Sequence, residues 1–276
     1  MTVHLDVMDI VSRMRSAEQP FALATVVRTV SVTAAKAGAK GIITPDGTIV
    51  AGWIGGGCVR SAVLRASRAA LADGQPRLVS IQPEELLADY QAEIGQVKDG
   101  ITFYANGCPS KGTMDIFIEP VLPRPSLVIL GASPVALALS ALGRQFGYHV
   151  TIAAPPADLA GTPDADSVVA GFEAGDSGHG RRYVVVSTQG RGDEAALRAA
   201  LREEADYFGF VGSRRKMAAL REKLAGTDAD LLRLERVKAP AGLDIGAITP
   251  DEIALSIMAE IVATRRSRQR ATVEGR

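Results

Sequence analysis

From residue 126 onward, short apolar runs typical of strands alternate with longer runs typical of helices. The strand-like runs are SLVIL, HVTIAA, YVVVS (183–187) and YFGFVG, and helix-like runs follow the first, third and fourth of them. This βαβαβα alternation predicts a parallel, doubly wound sheet, because parallel strands need crossover connections that are usually helical. The fold class is therefore predicted as α/β, with a Rossmann-like domain over residues 126–276.

The first 120 residues predict a different, α+β arrangement. Helices are expected at 5–15 and 58–74, the second closed by Gly74, and strands at 21–30 and within 40–54, around a Pro45-Asp46-Gly47 turn. Three prolines fall within residues 120–125 and make that stretch stiff and extended. The predicted organisation is an N-terminal α+β domain (1–120), a proline-rich linker (121–125) and the Rossmann-like C-terminal domain (126–276).

Charge and apolar patterning restrict the partners that this chain is expected to have. Lys and Arg total 31 and Asp and Glu total 31, so the formal net charge is zero, which disfavours a nucleic-acid partner. Residues 125–143 carry no charge, but they contain Gly131 and Pro134 and are predicted to be a buried strand, turn and helix. The N-terminus has no apolar signal region. We therefore expect a cytoplasmic protein with no membrane span and with reduced thiols.

The turn after the first strand of the second domain lies where a dinucleotide-binding fingerprint would be. The three fingerprint positions hold Gly131, Ser133 and Ala136, so Ser133 places a Cβ where pyrophosphate would approach the backbone. The next strand ends at Ala154, where an acidic residue would hold the ribose. NAD(P) binding is therefore not expected. A Rossmann-type sheet without a dinucleotide and an NAD(P)-linked oxidoreductase remain as alternatives.

One of the two cysteines follows three consecutive glycines at a predicted helix start. Gly55, Gly56 and Gly57 would present several backbone N–H groups in one direction, which favours an anion. The same environment stabilises a thiolate, so Cys58 is a candidate reactive thiol. The alternative is a tight glycine turn with a small cysteine buried as an apolar residue.

The second cysteine lies in another glycine-rich loop. Cys108 is followed by Ser110, with a hydroxyl, and Lys111, with a positive charge, between Gly107 and Gly112. Because both cysteines occupy glycine-rich loops, we predict that the loops meet at one anion site. No C-x-x-C motif occurs and the three histidines are scattered, so a zinc site is not predicted.

Five motifs together resemble the XdhC/CoxI family of accessory proteins for xanthine dehydrogenase and carbon monoxide dehydrogenase. They are GWIGGGCV (52–59), GCPSKGTMDIFIEP (107–120), LVILGASPVALAL (127–139), YFGFVGSRRKMAAL (207–220) and APAGLDIGAITPDEIALSIMAEIVA (239–263). The resemblance covers almost the whole chain. It departs from the family at Arg60, where many members carry Glu, and at Ser133-Pro134, where many carry Gly-His.

The resemblance implies a maturation factor that lacks the redox apparatus of a dehydrogenase. Such a protein would bind the molybdenum cofactor, as molybdopterin or its cytosine dinucleotide, and allow its sulfuration by a cysteine desulfurase. It would then deliver the cofactor to an apo molybdenum hydroxylase, and it would be a homodimer. The second domain's apolar helices fit self-association, although they could instead pack on their own sheet. Cys58 and Cys108 would contact the metal directly or indirectly. The candidate cofactor-binding residues are Gly55, Gly56, Gly57, Cys58, Cys108, Ser110, Lys111, Gly131, Ser133, Ser213 and Arg214.

Overall fold

A computed structural model describes residues 6–89, 93–107, 111–159, 163–175, 180–224, 226 and 228–274, with backbone alone at 89, 228–231 and 268–274. The chain divides into two compact units, Met1–Pro123 and Arg124–Arg276. The division falls inside residues 121–125, the stretch with the sequence pattern of a linker.

The N-terminal unit is a mixed sheet with helices beside it. Its sheet has the order β3-β2-β1-β7-β4-β6-β5, so β7, late in the sequence, lies between β1 and β4. Every neighbouring pair is antiparallel except β4 and β6. In chain order the elements are α1 (Val7–Ser16), β1 (Phe21–Val30), β2 (Lys40–Ile43), β3 (Ile49–Gly52), α2 (Gly57–Asp73), β4 (Arg77–Gln82), α3 (Glu84–Asp89), β5 (Val97–Lys98), β6 (Ile101–Ala105) and β7 (Thr113–Val121).

The alternation of side chains along β1 separates two cores in this unit. Ala22, Ala24 and Val26 lie on the face that α2 covers, while Phe21 packs with α1 on the other. The buried residues of α2 recur at helical spacing, which explains why one stripe of the helix faces the sheet. They are Val59, Ala62, Val63, Ala66, Ser67 and Ala70. The helix ends, as predicted, at Gly74, which adopts the left-handed conformation.

The C-terminal unit confirms the predicted Rossmann-like sheet. Its strand order is β10-β9-β8-β11-β12-β13, all pairs are parallel, and the order reverses between β8 and β11. In chain order the elements are β8 (Ser126–Leu130), α4 (Pro134–Gln145), β9 (His149–Ala154), β10 (Ser167–Ala170), β11 (Arg182–Val186), α5 (Asp193–Arg202), β12 (Tyr207–Phe210), α6 (Arg214–Leu224), α7 (Asp228–Glu235), β13 (Val237–Lys238) and α8 (Pro250–Glu274).

Helices cover both faces of this parallel sheet. Val128 and Leu130 of β8 belong to the core with α5 and α6, whereas Leu127 and Ile129 belong to the core with α4 and α8. The uncharged stretch 125–143 is thus β8, a turn and α4, as predicted. Among the described residues no helix combines the length and apolar character needed to cross a membrane.

The last helix is longer than its sequence pattern predicts. The pattern places its end at the arginines, but α8 continues to Glu274, so Arg265 and Arg266 lie inside it. No glycine or proline occurs between Pro250 and Glu274, and the helix therefore has no stop signal at the arginines.

The T-x-x-E pattern of residues 249–252 predicts a capping box, and the structure has one at the start of α8. The Thr249 hydroxyl accepts a hydrogen bond from the Glu252 backbone at 3.3 Å. The Glu252 carboxylate accepts from the backbone N–H of Thr249 at 2.9 Å and of Ile248 at 2.8 Å. These bonds satisfy donors that a helix start leaves without partners.

Thr249→Ala should lower the free energy of unfolding by about 1 kcal/mol, because it removes the side-chain acceptor of this box. Thr249→Ser retains the acceptor and should unfold like the parent. Urea unfolding followed by circular dichroism measures both variants. Equal midpoints for Thr249→Ala and Thr249→Ser would show that the cap contributes nothing.

Candidate functional site

The glycine-rich loop after β3 leads directly into α2. Gly56 is the extended N-cap residue and the helix begins at Gly57, which makes Cys58 its second residue. The first N–H groups of a helix have no acceptors within it, so this loop directs free donors toward the surroundings of Cys58. The side chain of Cys58 is half-buried and forms no disulfide.

The loop after β6 reaches the same place. Gly107 lies against Cys58: a Cβ built on Gly107 would stand 3.6 Å from the Cys58 Sγ. The Asn106 side-chain amide donates to the Gly112 carbonyl at 2.6 Å, which ties the two ends of this loop together. Cys108 and Ser110 lie outside the described residues. The structure thus brings the start of the second cysteine loop to the first cysteine.

Lys111 contributes less free charge to this site than the sequence suggests. Its ammonium group forms an ion pair with the Glu85 carboxylate, and both side chains are exposed. The hydrogen bond between them raises the pKa of Lys111 and lowers the pKa of Glu85. The positive charge predicted beside Cys108 therefore already has a carboxylate partner.

Trp53 is not one of the predicted site residues, although it is the only tryptophan and lies two residues before Gly55. Its side chain is 58% exposed. The indole Nε1 donates to the Ala34 carbonyl at 3.4 Å. A Cβ built on Gly56 would lie 3.9 Å from the Trp53 ring. An exposed aromatic ring therefore borders the glycines that open α2.

Cys58 does not belong to a cluster of three or more metal-ligating side chains within the part of the chain that the structure describes. No group of three or more His, Cys, Asp or Glu side chains there could hold a metal ion. A metal bound at Cys58 would therefore take its remaining ligands from its own cofactor or from residues outside that part.

The dinucleotide-type turn of the C-terminal unit is occupied by its own hydroxyl groups. The Ser133 Oγ caps α4 by accepting from the Ala136 backbone at 3.1 Å, and it lies 2.6 Å from the Ser187 Oγ. Gly131, with φ +119°, allows the two loops to touch, because a Cβ there would lie 2.3 Å from the Ser187 carbonyl oxygen. The place where pyrophosphate would approach is thus taken by a contact between the loops after β8 and β11.

The acidic group nearest in sequence to the end of β9 is also engaged. Asp158 follows Ala154 by four residues and forms an ion pair with Arg191 at 3.0 Å. At the start of α5, Asp193 is buried, accepts from the Thr188 hydroxyl and pairs with the Lys216 ammonium at 2.6 Å. The charged groups beside the strand-order reversal are therefore paired with one another.

A pocket of about 600 Å³ lies farther along the same edge of the sheet. Ser213 and Arg214, two of the predicted site residues, line it at the start of α6. Its other walls come from residues 240–247 and from Ile253 and Ser256 of α8. In the sequence, residues 240–247 stand out only as part of a family motif. The local signal that could have indicated this pocket is a pair of large apolar residues, Leu243 and Ile245, in a glycine-containing stretch ahead of a helix cap.

A buried carboxylate fixes one wall of this pocket. Glu260 accepts hydrogen bonds from the Tyr207 hydroxyl at 2.6 Å, the Lys238 ammonium at 2.8 Å and the Gly242 backbone at 2.9 Å. Burial opposes the ionisation of Glu260, but the bonds from Lys238, Tyr207 and Gly242 outweigh it and lower its pKa. Because Gly242 lines the pocket, this network fixes the path of the lining segment.

The strand order and crossovers place the C-terminal unit among Rossmann-like α/β proteins. The chain belongs to the XdhC and CoxI family: the family model "XdhC and CoxI family" matches residues 14–82, and "XdhC Rossmann domain" matches residues 127–261.

Two curated relatives are longer proteins. The uncharacterized protein YqeB of Escherichia coli K12 is 30% identical over 259 residues, which cover 90% of this chain and 44% of YqeB. A Bacillus subtilis 168 protein, named as a probable xanthine dehydrogenase subunit, is 28% identical over 162 residues, covering 56% of this chain and 47% of the relative. The chain thus spans less than half the length of both relatives. A crystal structure described as a xanthine dehydrogenase from Bacillus halodurans aligns with a TM-score of 0.46 at 20% identity, over 96% of this chain and 97% of that one.

Glu260→Gln should destabilise the C-terminal unit at neutral pH by about 1–3 kcal/mol, because it removes the charge of a buried carboxylate that accepts three hydrogen bonds. The pKa of Glu260 is lowered on folding, so its contribution is full above the unfolded value of 4.5 and is lost as pH falls through the folded value. From about pH 5 to pH 3, the parent should therefore lose more stability than the variant.

Urea unfolding at a series of pH values measures this difference. Glu222→Gln, which changes an exposed carboxylate on α6, is the matched control and should follow the parent at every pH. Identical pH profiles for the parent and Glu260→Gln would contradict the assigned role of the carboxylate.

Nicotinamide dinucleotides should not bind with micromolar affinity, because Ser133 and Ser187 close the turn and Ala154 offers the ribose no carboxylate. Calorimetric titration with NAD⁺, NADH, NADP⁺ and NADPH measures this directly. Saturable binding of any of the four in the low micromolar range would overturn the expectation and support an oxidoreductase.

Proposed function

We propose that this protein binds the molybdenum cofactor and delivers it to an apo molybdenum hydroxylase of the xanthine dehydrogenase type. Membership of the XdhC and CoxI family supports this role, as does similarity to the Bacillus subtilis protein whose name points to xanthine dehydrogenase. In this proposal the protein is a maturation factor and does not itself carry out the client's redox reaction.

The observation that carries the proposal is the close approach of Gly107 to the thiol of Cys58. It places the start of the Cys108 loop beside the glycine-rich start of α2. A ligand held by Cys58 would therefore touch both loops at once. Two separate backbone segments, each rich in glycine, would then surround one anionic ligand.

The residues present fit the chemistry of this cofactor. A cysteine thiolate is a soft ligand suited to a sulfur-bound metal, and the free N–H groups of Gly57 and Cys58 suit a phosphate. The exposed face of Trp53 suits a flat pterin ring, which aromatic side chains bind by stacking. When bound, the cofactor supplies the molybdenum centre that the client enzyme uses. Cys58, the first turn of α2 and Trp53 hold it and limit its contact with water.

Several further parts of the role belong to the same proposal. The cofactor is bound as molybdopterin or as its cytosine dinucleotide, and a cysteine desulfurase sulfurates it before delivery. The protein acts as a homodimer in the cytoplasm. Cys108 and Ser110 are proposed as further cofactor-binding residues on the basis of the sequence alone.

Cys58→Ser should reduce the molybdenum retained by protein purified from a molybdenum-replete host by about tenfold, equivalent to about 1.4 kcal/mol of binding. Metal analysis and mass spectrometry of the released ligand measure retention. Because Trp53 is the only tryptophan, its fluorescence should also change when the ligand is removed. Ser61→Ala, an exposed change one turn along α2, is the matched control and should retain cofactor like the parent.

Alkylation of Cys58 in a Cys108→Ser background tests whether the thiol is available. We expect the Cys58 thiol to be modified in the folded protein. The rate of modification is compared with the rate for the same protein in denaturant. If Cys58 reacts only after unfolding, and Cys58→Ser retains cofactor as well as the parent, then Cys58 is a packed core residue and the proposal fails.

A further inference from the structure

The C-terminal unit offers a second place for a ligand, and Cys58 takes no part in it. The pocket between residues 211–214 and 240–247 has a volume of about 600 Å³, within the usual range for small-molecule sites. It adjoins the carboxyl ends of β12 and β13, the edge at which open parallel sheets bind ligands.

Two charged side chains that line the pocket are available to a ligand. Arg214 and Asp244 line it and are exposed, and neither has a hydrogen bond or ion pair with any residue that the structure describes. By contrast, Lys216 and Asp193 nearby are paired with each other. An anionic ligand at Arg214 would therefore not have to displace an internal carboxylate.

The rest of the pocket wall is mostly aliphatic. Leu243 and Ile245 lie on one side and Ile253 of α8 on another. Leu243 and Ile245 remain 44% and 53% exposed, so they present apolar surface that a ligand could cover. A bare inorganic anion would leave this surface in water, whereas an anion with a flat apolar body would bury it.

The two halves of the sheet differ in their capacity for nucleotides. A Rossmann-like sheet consists of two mononucleotide-binding halves. In the first half the Ser133 and Ser187 hydroxyls occupy the phosphate turn, whereas the second half retains the open pocket with Arg214 at its wall. We infer that this pocket binds a single nucleoside monophosphate group, with the phosphate at Arg214 and the base against Leu243 and Ile245.

This inference goes beyond the proposed function and does not depend on it. The same chemical group could come from a free nucleotide or from the nucleotide end of a pterin dinucleotide. Asp244 can accept hydrogen bonds from the sugar hydroxyls in either case.

Calorimetric titration of the full chain with CMP, AMP, GMP and UMP tests the inference. We expect saturable binding of at least one of them, and a dissociation constant about tenfold higher for Arg214→Ala, the loss of about 1.4 kcal/mol. Asp244→Asn should weaken binding less. Arg215→Ala removes the neighbouring exposed charge of α6, which does not line the pocket, and should bind like the parent. Binding of CMP alone would identify the nucleotide end of a cytosine dinucleotide, and equal binding of all four would identify free nucleotides.

Three results would overturn the inference. The first is that none of the four nucleotides binds at millimolar concentration. The second is that Arg214→Ala and Arg215→Ala lose the same amount of nucleotide affinity. The third is that inorganic phosphate binds as tightly as the nucleotides. Circular dichroism of each variant establishes that it is folded. Cys58→Ser should bind the nucleotide like the parent, so a failure of cofactor retention at Cys58 is distinguished from a failure at this pocket.

Discussion

Close contact between main chains, possible only at glycine, sets the geometry of the Cys108 loop and of the dinucleotide-type turn. In the C-terminal unit Gly131 lets the loop after β8 touch the loop after β11. In the N-terminal unit a Cβ on Gly112 would lie 2.2 Å from the Val32 carbonyl oxygen, so the end of the Cys108 loop runs directly against the segment after β1. Any other residue would force these backbones apart. Both loops are therefore fixed by backbone contact as well as by side chains.

The pairing of charges distinguishes structural polar groups from those available to a ligand. Lys111, Lys216 and Arg191 each have a carboxylate partner. The buried carboxylate of Glu260 accepts three hydrogen bonds and holds a wall of the pocket. Arg214 has no such partner within the described part of the chain, although it lines a cavity. A lysine or arginine therefore indicates an anion-binding site only when it is known whether a carboxylate already pairs with it.

The sequence predicted the elements that carry their own local signals. Gly74 ends α2 and Thr249 starts α8 as expected, because caps and periodic apolar residues act over a few positions. It missed α3, β5, β10, α7 and β13, which are short and depend on neighbouring elements for stability. At the site it predicted that the cysteine loops meet, and the place of Gly107 agrees. It could not predict the ion pair of Lys111 with Glu85 or the pocket of residues 240–247, because both depend on how distant segments fold back.

The position of β7 has a consequence for the order of folding. This strand begins at Thr113, yet it lies between β1 and β4 and pairs with both. The hairpin of β2 and β3 can form early because its partners are adjacent in sequence, whereas the sheet is joined across its middle only by β7. During synthesis the two flanks of the N-terminal sheet therefore cannot pair into one sheet until its last strand, β7, has been made. Gly107 lies in the loop that leads into β7. Its approach to Cys58 should therefore be among the last to form.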